Sequence, residues 1–427
     1  MKCKYCRAEL KNGDQKCPEC GKEVRRSSVW KAVIAGVCCL ALLLGLTWLI
    51  LDGMGIKIGP RENSIHYKNS YTVSDSKALR DAKKVIATVN GAELTNGEFQ
   101  LHYWVQVVNY LQNMPSYGSY GFDQTKPLDE QKVSADSDTT WQQYFIVVAL
   151  ESWHRYQLLN MLAEEEGIKL SASEIKRFAD MPAQLETTAK NEGFASADEM
   201  FETDFGKGCT AQDYVNFVRM SDIALLYTAE KEKTLSPTTA ELEAYYEENK
   251  EAFEEGGILK GGAQLVDARH ILVQLDNVAV NSDYTVTYTD EQWAACLQEA
   301  EKILNEWKNG ENPSEASFGE LAVKYSKDED NAASGGLLAQ MYEGEMVSTF
   351  NDWCFDKNRV PGDTGIVKTK FGYHIIYYIQ TAEEWSVIAE ENVLADKLSA
   401  IIEESKERWP MEVNYKKIVL ADPSILN

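Results

Sequence analysis

The sequence predicts a multidomain protein with a cysteine-rich unit, one membrane-spanning helix, a mainly helical domain and a mixed α and β domain. Three observations predict it. Four cysteines are grouped in two pairs near the N-terminus, and an uncharged apolar run of twenty residues follows them. After a long stretch with helical apolar periodicity come two short β-branched runs, each of which contains a histidine. At 427 residues the chain is long enough for two or three domains.

The cysteine-rich unit, residues 1–24, is expected to be a zinc ribbon. Its cysteines form a CxxC-x10-CxxC pattern and are Cys3, Cys6, Cys17 and Cys20. Two thiolates two residues apart can face one ion, so the four favour tetrahedral coordination of a structural Zn²⁺. The alternative is a redox dithiol, which normally has a single CxxC at a strand-to-helix junction. No cofactor is expected for catalysis.

Residues 29–51 are predicted to form a single transmembrane helix. From Ala32 to Leu51 no residue is charged, and twenty helical residues span the roughly 30 Å hydrocarbon core. Basic residues precede the run, so the positive-inside rule places the N-terminus in the cytoplasm and the C-terminal bulk outside it. These residues are Arg25, Arg26 and Lys31. Cleavage as a signal peptide, or as a lipoprotein at Cys38, is the alternative.

The charge distribution argues against nucleic-acid binding. The formal net charge is −24, and residues 1–31 hold nine Lys and Arg against four Asp and Glu, which leaves −29 for the remainder. A surface this acidic has few cations with which to replace the counterions of a phosphate backbone.

Residues 52–82 are polar and irregular and are expected to be a linker. Val85–Gly91 alternates and ends in Asn-Gly, which is typical of a strand and a turn. Thr95 and Glu98 then form a capping-box pattern at the start of a helix. Helices are predicted at 99–111, 141–166, from 173, at 211–230, from 237 and at 382–408. Residues 413–420 are expected to form a last strand that pairs near 85–89.

Five segments near the C-terminus resemble the parvulin family of peptidyl-prolyl isomerases in order and spacing. They are Ala268–Val273, Tyr325–Asp328, Ser334–Gly336, Gly344–Phe350 and Phe371–Ile376. The strand, turn and capped helix at 85–111, with the run from Ser236 to Lys250, resemble the PrsA- and SurA-type foldases. The resemblance implies a SurA-like helical chaperone domain at 83–260 plus 382–427. It also implies an α+β parvulin domain with an antiparallel sheet at 264–380.

The same resemblance implies roles for individual residues. The catalytic positions are His270, Asp328, Thr369 and His374. The substrate-binding positions, which would hold the proline ring and flank it, are Met346, Phe350 and Phe371. One segment departs from the family: the usual Gly-Gly-Asp-Leu-Gly is Gly335–Ala339, with the sequence Gly-Gly-Leu-Leu-Ala, which alters the turn into the next strand. No cluster of Arg or Lys lies between residues 275 and 318 to bind a phosphate, so specificity for phosphorylated substrates is not expected.

These features together predict a membrane-anchored extracytoplasmic foldase with isomerase activity. Its partners would be unfolded or proline-containing secreted polypeptides, and the membrane through a single span. Two alternatives remain open. The first is a holdase chaperone without catalysis, which the altered segment at residues 335–339 keeps possible. The second is a signalling protein with a cytoplasmic zinc ribbon and a peptide-binding outer domain.

Overall fold

The computed structural model describes residues 71–113, 121–123, 126–134, 137–276, 280–281 and 284–422. The predicted zinc ribbon, the predicted transmembrane helix and most of the predicted linker lie outside these ranges. Within them, no helix combines the length and the apolar composition needed to cross a bilayer.

The chain divides into two compact units. The first contains residues up to 235 together with those from 395 onwards, and the second contains residues 236–394. Residues 236–260 and 382–394, which the sequence assigned to the helical domain, group with the second unit. The reason is a small apolar cluster in which Tyr246 and Phe253 pack against Trp385 and Ala389.

The first unit is mainly helical. Its helices are α1 (Asp75–Asp81), α2 (Asn96–Asn113), α3 (Trp141–Glu165), α4 (Ala172–Asn191), α5 (Ala197–Phe205) and α6 (Ala211–Leu235). Both α2 and α6 pack against α3, and Phe99, Phe145 and Trp153 are fully buried between them. Helix α3 begins where predicted because the Thr140 side chain caps it, in a reciprocal pair with Gln143.

Two small sheets complete the first unit. The strands β2 (Val85–Val89) and β3 (Ala92–Thr95) form the predicted hairpin, and Asn90 and Gly91 occupy its turn with positive φ. The strand β8 (Glu412–Val413) pairs antiparallel with β2, as the sequence predicted. The predicted last strand does not continue, because Tyr415–Lys417 form a 3₁₀ turn. The chain then enters β9 (Val419–Leu420), which pairs in parallel with β1 (Thr72–Val73).

The second unit is built on a four-stranded antiparallel sheet. Its strands are β4 (Gln264–Val273), β5 (Leu337–Tyr342), β6 (Thr364–Thr369) and β7 (Gly372–Glu383), in the order β5-β4-β7-β6. The two histidine-bearing runs are therefore the central pair of strands. Its helices are α7 (Thr239–Glu248), α8 (Lys250–Glu255), α9 (Asp290–Lys308), α10 (Glu315–Tyr325), α11 (Ser348–Cys354) and α12 (Glu384–Arg408), the last of which extends past residue 394.

Alternation along the central strands separates two apolar clusters on the two faces of this sheet. Helices α9 and α10 cover one face, where Ile271 and Ile375 are buried against Phe318. Helix α11 covers part of the other face, where Phe350 packs with Ile376. Both histidines belong to the second face, the one with α11.

Candidate active site

The centre of the site is a pair of stacked imidazoles on the two central strands. His270 on β4 and His374 on β7 are offset by two positions, since His374 lies opposite Leu272. Their Nδ1 atoms are 3.0 Å apart, and the rings are stacked with centroids 5.2 Å apart. Both residues are buried, at 3% and 7% exposure. Sequence reasoning identified both, and the sheet register brings them into contact.

The outer nitrogen of His270 meets the loop that follows α10. His270 Nε2 is 3.2 Å from Asp328 Oδ2 and 3.0 Å from Asn331 Oδ1. Ser326 positions the loop, because its hydroxyl accepts from the backbone N–H groups of Leu272 and Asp328. Sequence reasoning missed Asn331. Its place three residues after Asp328 is the signal that could have found it, because the intervening residues turn the chain back.

Thr369 completes the network on the other side. Its Oγ1 is 3.0 Å from His374 Nε2, and it accepts from the backbone N–H of Phe371 at 3.1 Å. Thr369 is the last residue of β6 and is buried. The network therefore runs from Asp328 through both imidazoles to Thr369.

One arrangement of protons satisfies every atom of this network with neutral rings. His270 donates through Nε2–H to the Asp328 carboxylate, His374 donates through Nδ1–H to His270 Nδ1, and Thr369 donates its hydroxyl to His374 Nε2. Burial, together with the neighbouring His270, lowers the pKa of His374 to about 3, which agrees with a neutral ring. The hydrogen bond from His270 lowers the pKa of Asp328, so that its carboxylate is ionised at neutral pH.

The aromatic ring of Phe350 lies next to the imidazoles. The Phe350 ring is edge-on to both, with centroids 5.7 Å from His270 and 5.4 Å from His374. Phe350 is buried, and Met346 is half-buried against the same apolar cluster. The sequence placed Met346 and Phe350 on one face of a helix, but α11 begins only at Ser348. Met346 thus reaches the cluster from the preceding turn.

Phe371 was predicted to flank the proline-binding site. Its backbone is part of the site, because its N–H bonds to Thr369 and its carbonyl accepts from Gln274 Nε2 at 2.8 Å. Its ring lies against the ammonium of Lys370, 4.9 Å from the centroid. A substrate-binding role for the Phe371 ring stays a prediction.

The altered glycine segment lies directly behind His270. The carbonyl of Gly336 accepts from the backbone N–H of His270 at 2.8 Å, and Gly335 and Gly336 have φ of 72° and 66°. A Cβ on Gly336 would come within 2.0 Å of the His270 carbonyl oxygen. The first two glycines of the family segment are therefore required here and are present as Gly335 and Gly336, whereas the third is replaced by Ala339.

The acid that the family has in this segment is absent here, and its position lies on the opposite face of the sheet from the imidazoles. Leu337, which stands in its place, pairs across the strands with Arg269, and directly paired residues share a face. The Arg269 guanidinium already binds Glu315 and the carbonyl groups of Ser334 and Gly335, each at 3.0 Å. The replacement of the acid by Leu337 thus lies away from the imidazole pair.

We therefore expect Leu337→Asp to leave kcat/KM for prolyl isomerisation within about twofold of wild type and to change the unfolding free energy by less than ~1 kcal/mol. The control is Leu338→Asp, because Leu338 packs on the imidazole face with the Phe350 cluster. That variant should lose activity and about 3 kcal/mol of stability, since it buries a charge. Peptide kinetics and urea unfolding give both quantities, and a tenfold gain in Leu337→Asp would contradict this account.

The unfolding free energy of the second unit should fall as the pH drops from about 6.5 to about 3. In the unfolded chain His374 binds a proton below pH ~6.5, whereas in the folded unit its pKa is about 3. The unfolded state binds more protons in this window, so stability is present above it and is lost as the pH falls. Hydrogen exchange of residues 268–273 measures this. His374→Asn should flatten the dependence, the control His154→Asn in the first unit should not, and an unchanged slope in His374→Asn would contradict the prediction.

Part of the second unit matches a known domain family. Residues 258–381 match the family model of the PPIC-type PPIASE domain. The foldase protein PrsA of Caldanaerobacter subterraneus is 26% identical over 340 residues, which are 78% of this chain and 86% of that protein. Foldase protein PrsA 1 of Listeria monocytogenes is 32% identical over 118 residues, 28% of this chain and 37% of that protein. The crystal structure of PrsA from Bacillus subtilis has a TM-score of 0.28 at 20% identity, covering 77% of this chain and 91% of that one.

The second unit therefore contains a parvulin-type isomerase domain, and the chain is a peptidyl-prolyl cis-trans isomerase. Beyond this domain, the similarity to the foldase protein PrsA of Caldanaerobacter subterraneus extends over 78% of the chain.

Proposed function

We propose that the protein is an extracytoplasmic foldase, held in the cell membrane by residues 29–51, that isomerises Xaa-Pro bonds and assists the folding of secreted or surface proteins. The observation that supports this best is the network of His270, His374, Asp328 and Thr369 beside the Phe350 ring, within a domain that matches the isomerase family. The helical first unit would act as the chaperone part.

Prolyl isomerisation breaks no covalent bond, so the site needs only to bind the twisted amide better than the planar one. Amide resonance sets the barrier to rotation at about 18–20 kcal/mol. The planar amide is more dipolar than the twisted amide, because resonance moves negative charge onto its oxygen. A site that excludes water gives less solvation to that dipole and so favours the twisted form.

Phe350 and Met346 would bind the proline ring, since the Phe350 ring contacts both imidazoles and Met346 packs against the same apolar cluster. The imidazoles and Thr369 would form the rigid floor on which the amide turns, and Phe371 would flank it. This floor is pre-organised, because each of its polar atoms already has a partner within the network.

Asp328 would act on the amide itself. Its carboxylate is ionised, because the hydrogen bond from His270 lowers its pKa, and its side chain is partly open to solvent. A negative charge near the substrate carbonyl opposes the build-up of charge on the amide oxygen. It therefore destabilises the planar amide more than the twisted one, which lowers the barrier.

The test is an isomerisation assay of the full chain on a panel of Xaa-Pro peptides, with refolding of a protein limited by proline isomerisation as a second readout. Uncatalysed, the step takes tens to hundreds of seconds. Acceleration of both reactions supports the proposal. If the chain prevents aggregation of an unfolded protein but does not accelerate either reaction, the holdase alternative replaces it.

Residues 1–24 are proposed to be a cytoplasmic zinc ribbon and residues 29–51 the membrane span. Two features support this: the CxxC-x10-CxxC pattern and the uncharged run behind a basic cluster. The residues that would hold the Zn²⁺ are Cys3, Cys6, Cys17 and Cys20.

Cys6 should therefore react with a membrane-impermeant thiol reagent only when the cells are permeabilised and a chelator is present. In intact cells the membrane should keep the reagent from Cys6. In permeabilised cells without chelator, zinc coordination should keep the thiolate from reacting. Mass spectrometry of the labelled peptide measures this, with Cys6→Ser as the control. Labelling in intact cells would contradict the orientation, and labelling of lysates without chelator would contradict the zinc site.

A further inference from the structure

A short strand of the first unit lies almost completely inside it. The strand is β9 (Val419–Leu420), and with the flanking Ile418 and Ala421 its four residues have exposures of 3%, 1%, 1% and 0% from Ile418 to Ala421. The 3₁₀ turn at Tyr415–Lys417 precedes this strand. Among the described residues, the only strand that pairs with β9 is the two-residue strand β1. Pairing with β1 thus accounts for only some of the hydrogen bonds that the backbone of β9 makes.

Two buried side-chain amides of α2 hold the other edge of this strand. Asn96 donates through Nδ2 to the Val419 carbonyl at 2.9 Å and accepts through Oδ1 from the Val419 N–H at 2.9 Å. Gln100 donates through Nε2 to the same carbonyl at 2.7 Å and accepts from the Ala421 N–H at 2.9 Å. Both amides are fully buried. Together with β1 and Gly206 they form what we name the amide groove.

This pattern recognises a peptide backbone and not a particular sequence. A side-chain amide presents one acceptor and two donors, so that it can bond to both the N–H and the carbonyl of an extended residue as a neighbouring strand would. A strand bound in this way contributes the same main-chain hydrogen bonds whatever its side chains are. Fully buried amides also need these partners, because an unpaired one would cost about 1–3 kcal/mol.

The side chains of the resident strand define what the groove accepts. Ile418 and Leu420 enter the main apolar core, while Val419 and Ala421 pack beside Ala78. A Cβ on Gly206 would lie 2.5 Å from the Ala421 Cβ, so the glycine leaves room for a small residue there. The groove thus fits an extended stretch of three aliphatic residues followed by a small one.

We propose that the amide groove is a polypeptide-binding site, in which residues 418–421 are exchanged for an extended aliphatic segment of an unfolded client. The resident strand shows the chemistry of the ligand, and the amides explain how segments of different sequence are held. The identity of the ligand as a client rests on the foldase function proposed above.

The test uses the full chain and a fluorescent peptide with the sequence of residues 416–422, Lys-Lys-Ile-Val-Leu-Ala-Asp. A matched control peptide has proline in place of Val419 and so lacks the N–H that Asn96 accepts. Wild type should bind the first peptide and bind the second at least tenfold more weakly. Equal binding of the two peptides, or no binding at millimolar concentration to wild type and to Leu420→Ala, overturns the proposal.

Two variants separate a binding groove from a strand that only completes the fold. Leu420→Ala weakens the resident strand and should tighten peptide binding about tenfold, because the open groove becomes more populated. Asn96→Leu removes the same hydrogen bonds from the resident strand and from the bound peptide, so the apparent peptide affinity should change less than about threefold. Unchanged or weaker peptide binding in Leu420→Ala overturns the proposal.

Hydrogen exchange gives a readout that does not depend on the variants. In wild type, bound peptide should increase exchange at Val419 and Ala421 at least fivefold while leaving the β2–β3 hairpin unchanged. If saturating peptide leaves hydrogen exchange at Val419 unchanged, the peptide does not displace the resident strand and the proposal is wrong. A doubled mass in light scattering without peptide uptake would mean that a second copy supplies the strand, and also overturns the proposal. The probe has no proline, so a failed isomerase assay does not affect this result.

Discussion

Asp328→Asn should lower the turnover number for prolyl isomerisation about a hundredfold while changing peptide affinity less than threefold. Asparagine keeps the shape of the side chain and can still accept from His270, but it removes the charge that lies beside the network. If the carboxylate acts by destabilising the planar amide, the loss of its charge raises the barrier to rotation of the amide. It does not change how tightly the proline ring binds. Line-shape analysis by NMR on an Xaa-Pro peptide separates the two quantities.

The control for this prediction is Asp330→Asn, two residues further along the same exposed loop. Its backbone N–H bonds to the Asp328 carboxylate, but its side chain lies on the surface. The variant should keep wild-type turnover to within twofold. Equal losses in both variants would indicate a general effect of loop charge. A loss of affinity with unchanged turnover in Asp328→Asn would assign the carboxylate to substrate binding.

Gly336→Ala should destabilise the second unit by about 3–5 kcal/mol and abolish measurable isomerisation. The added Cβ would lie 2.0 Å from the His270 carbonyl oxygen, and φ of 66° is unfavourable for alanine. The strand must shift to relieve the clash. That shift breaks the hydrogen bond between the His270 N–H and the Gly336 carbonyl, and it moves His270 away from His374.

Gly344→Ala provides the matched control. Gly344 has φ of 90°, but no atom lies within 4 Å of an added Cβ, so this variant carries the backbone strain without the clash. It should lose only about 1 kcal/mol and stay active. Urea unfolding followed by hydrogen exchange of residues 268–273 measures both variants. If the two lose the same stability, strain alone explains the effect and the support of His270 by Gly336 is minor.

Local patterns in the sequence were sufficient for much of the fold. The strand and Asn-Gly turn at residues 85–91 and the helix that begins at Trp141 are where the sequence predicted them. Each depends on interactions within a few residues, such as the Thr140 cap or the positive φ of the turn. The two histidine-bearing runs were likewise identified as strands, because β-branched residues surround each histidine.

Most residues of the candidate site could also be predicted from the sequence, and a few contacts could not. The resemblance of short segments to a known family implied the roles of His270, Asp328, Phe350 and His374. The same resemblance implied a role for Thr369, which lies just before the last of these segments, and the structure brings all five residues together. The contact of Asn331 with His270 was not predicted, because it depends on how the loop after α10 folds back. Met346 reaches the Phe350 cluster from a turn and not from the helix, which the spacing of four residues could not distinguish.

The sequence by itself determined many of the helices and the two central strands of the isomerase unit, because propensity, capping and alternation act locally. Its resemblance to a known family indicated most of the residues of the site. The tertiary structure alone decided how distant segments meet. It placed Leu337 opposite Arg269 and away from the imidazoles, and it grouped residues 236–260 with the isomerase unit through Trp385. It also set the backbone of Val419 against Asn96 and Gln100. Such contacts join residues tens to hundreds of positions apart, and each forms only when the packing of the whole unit offers a partner to a buried group.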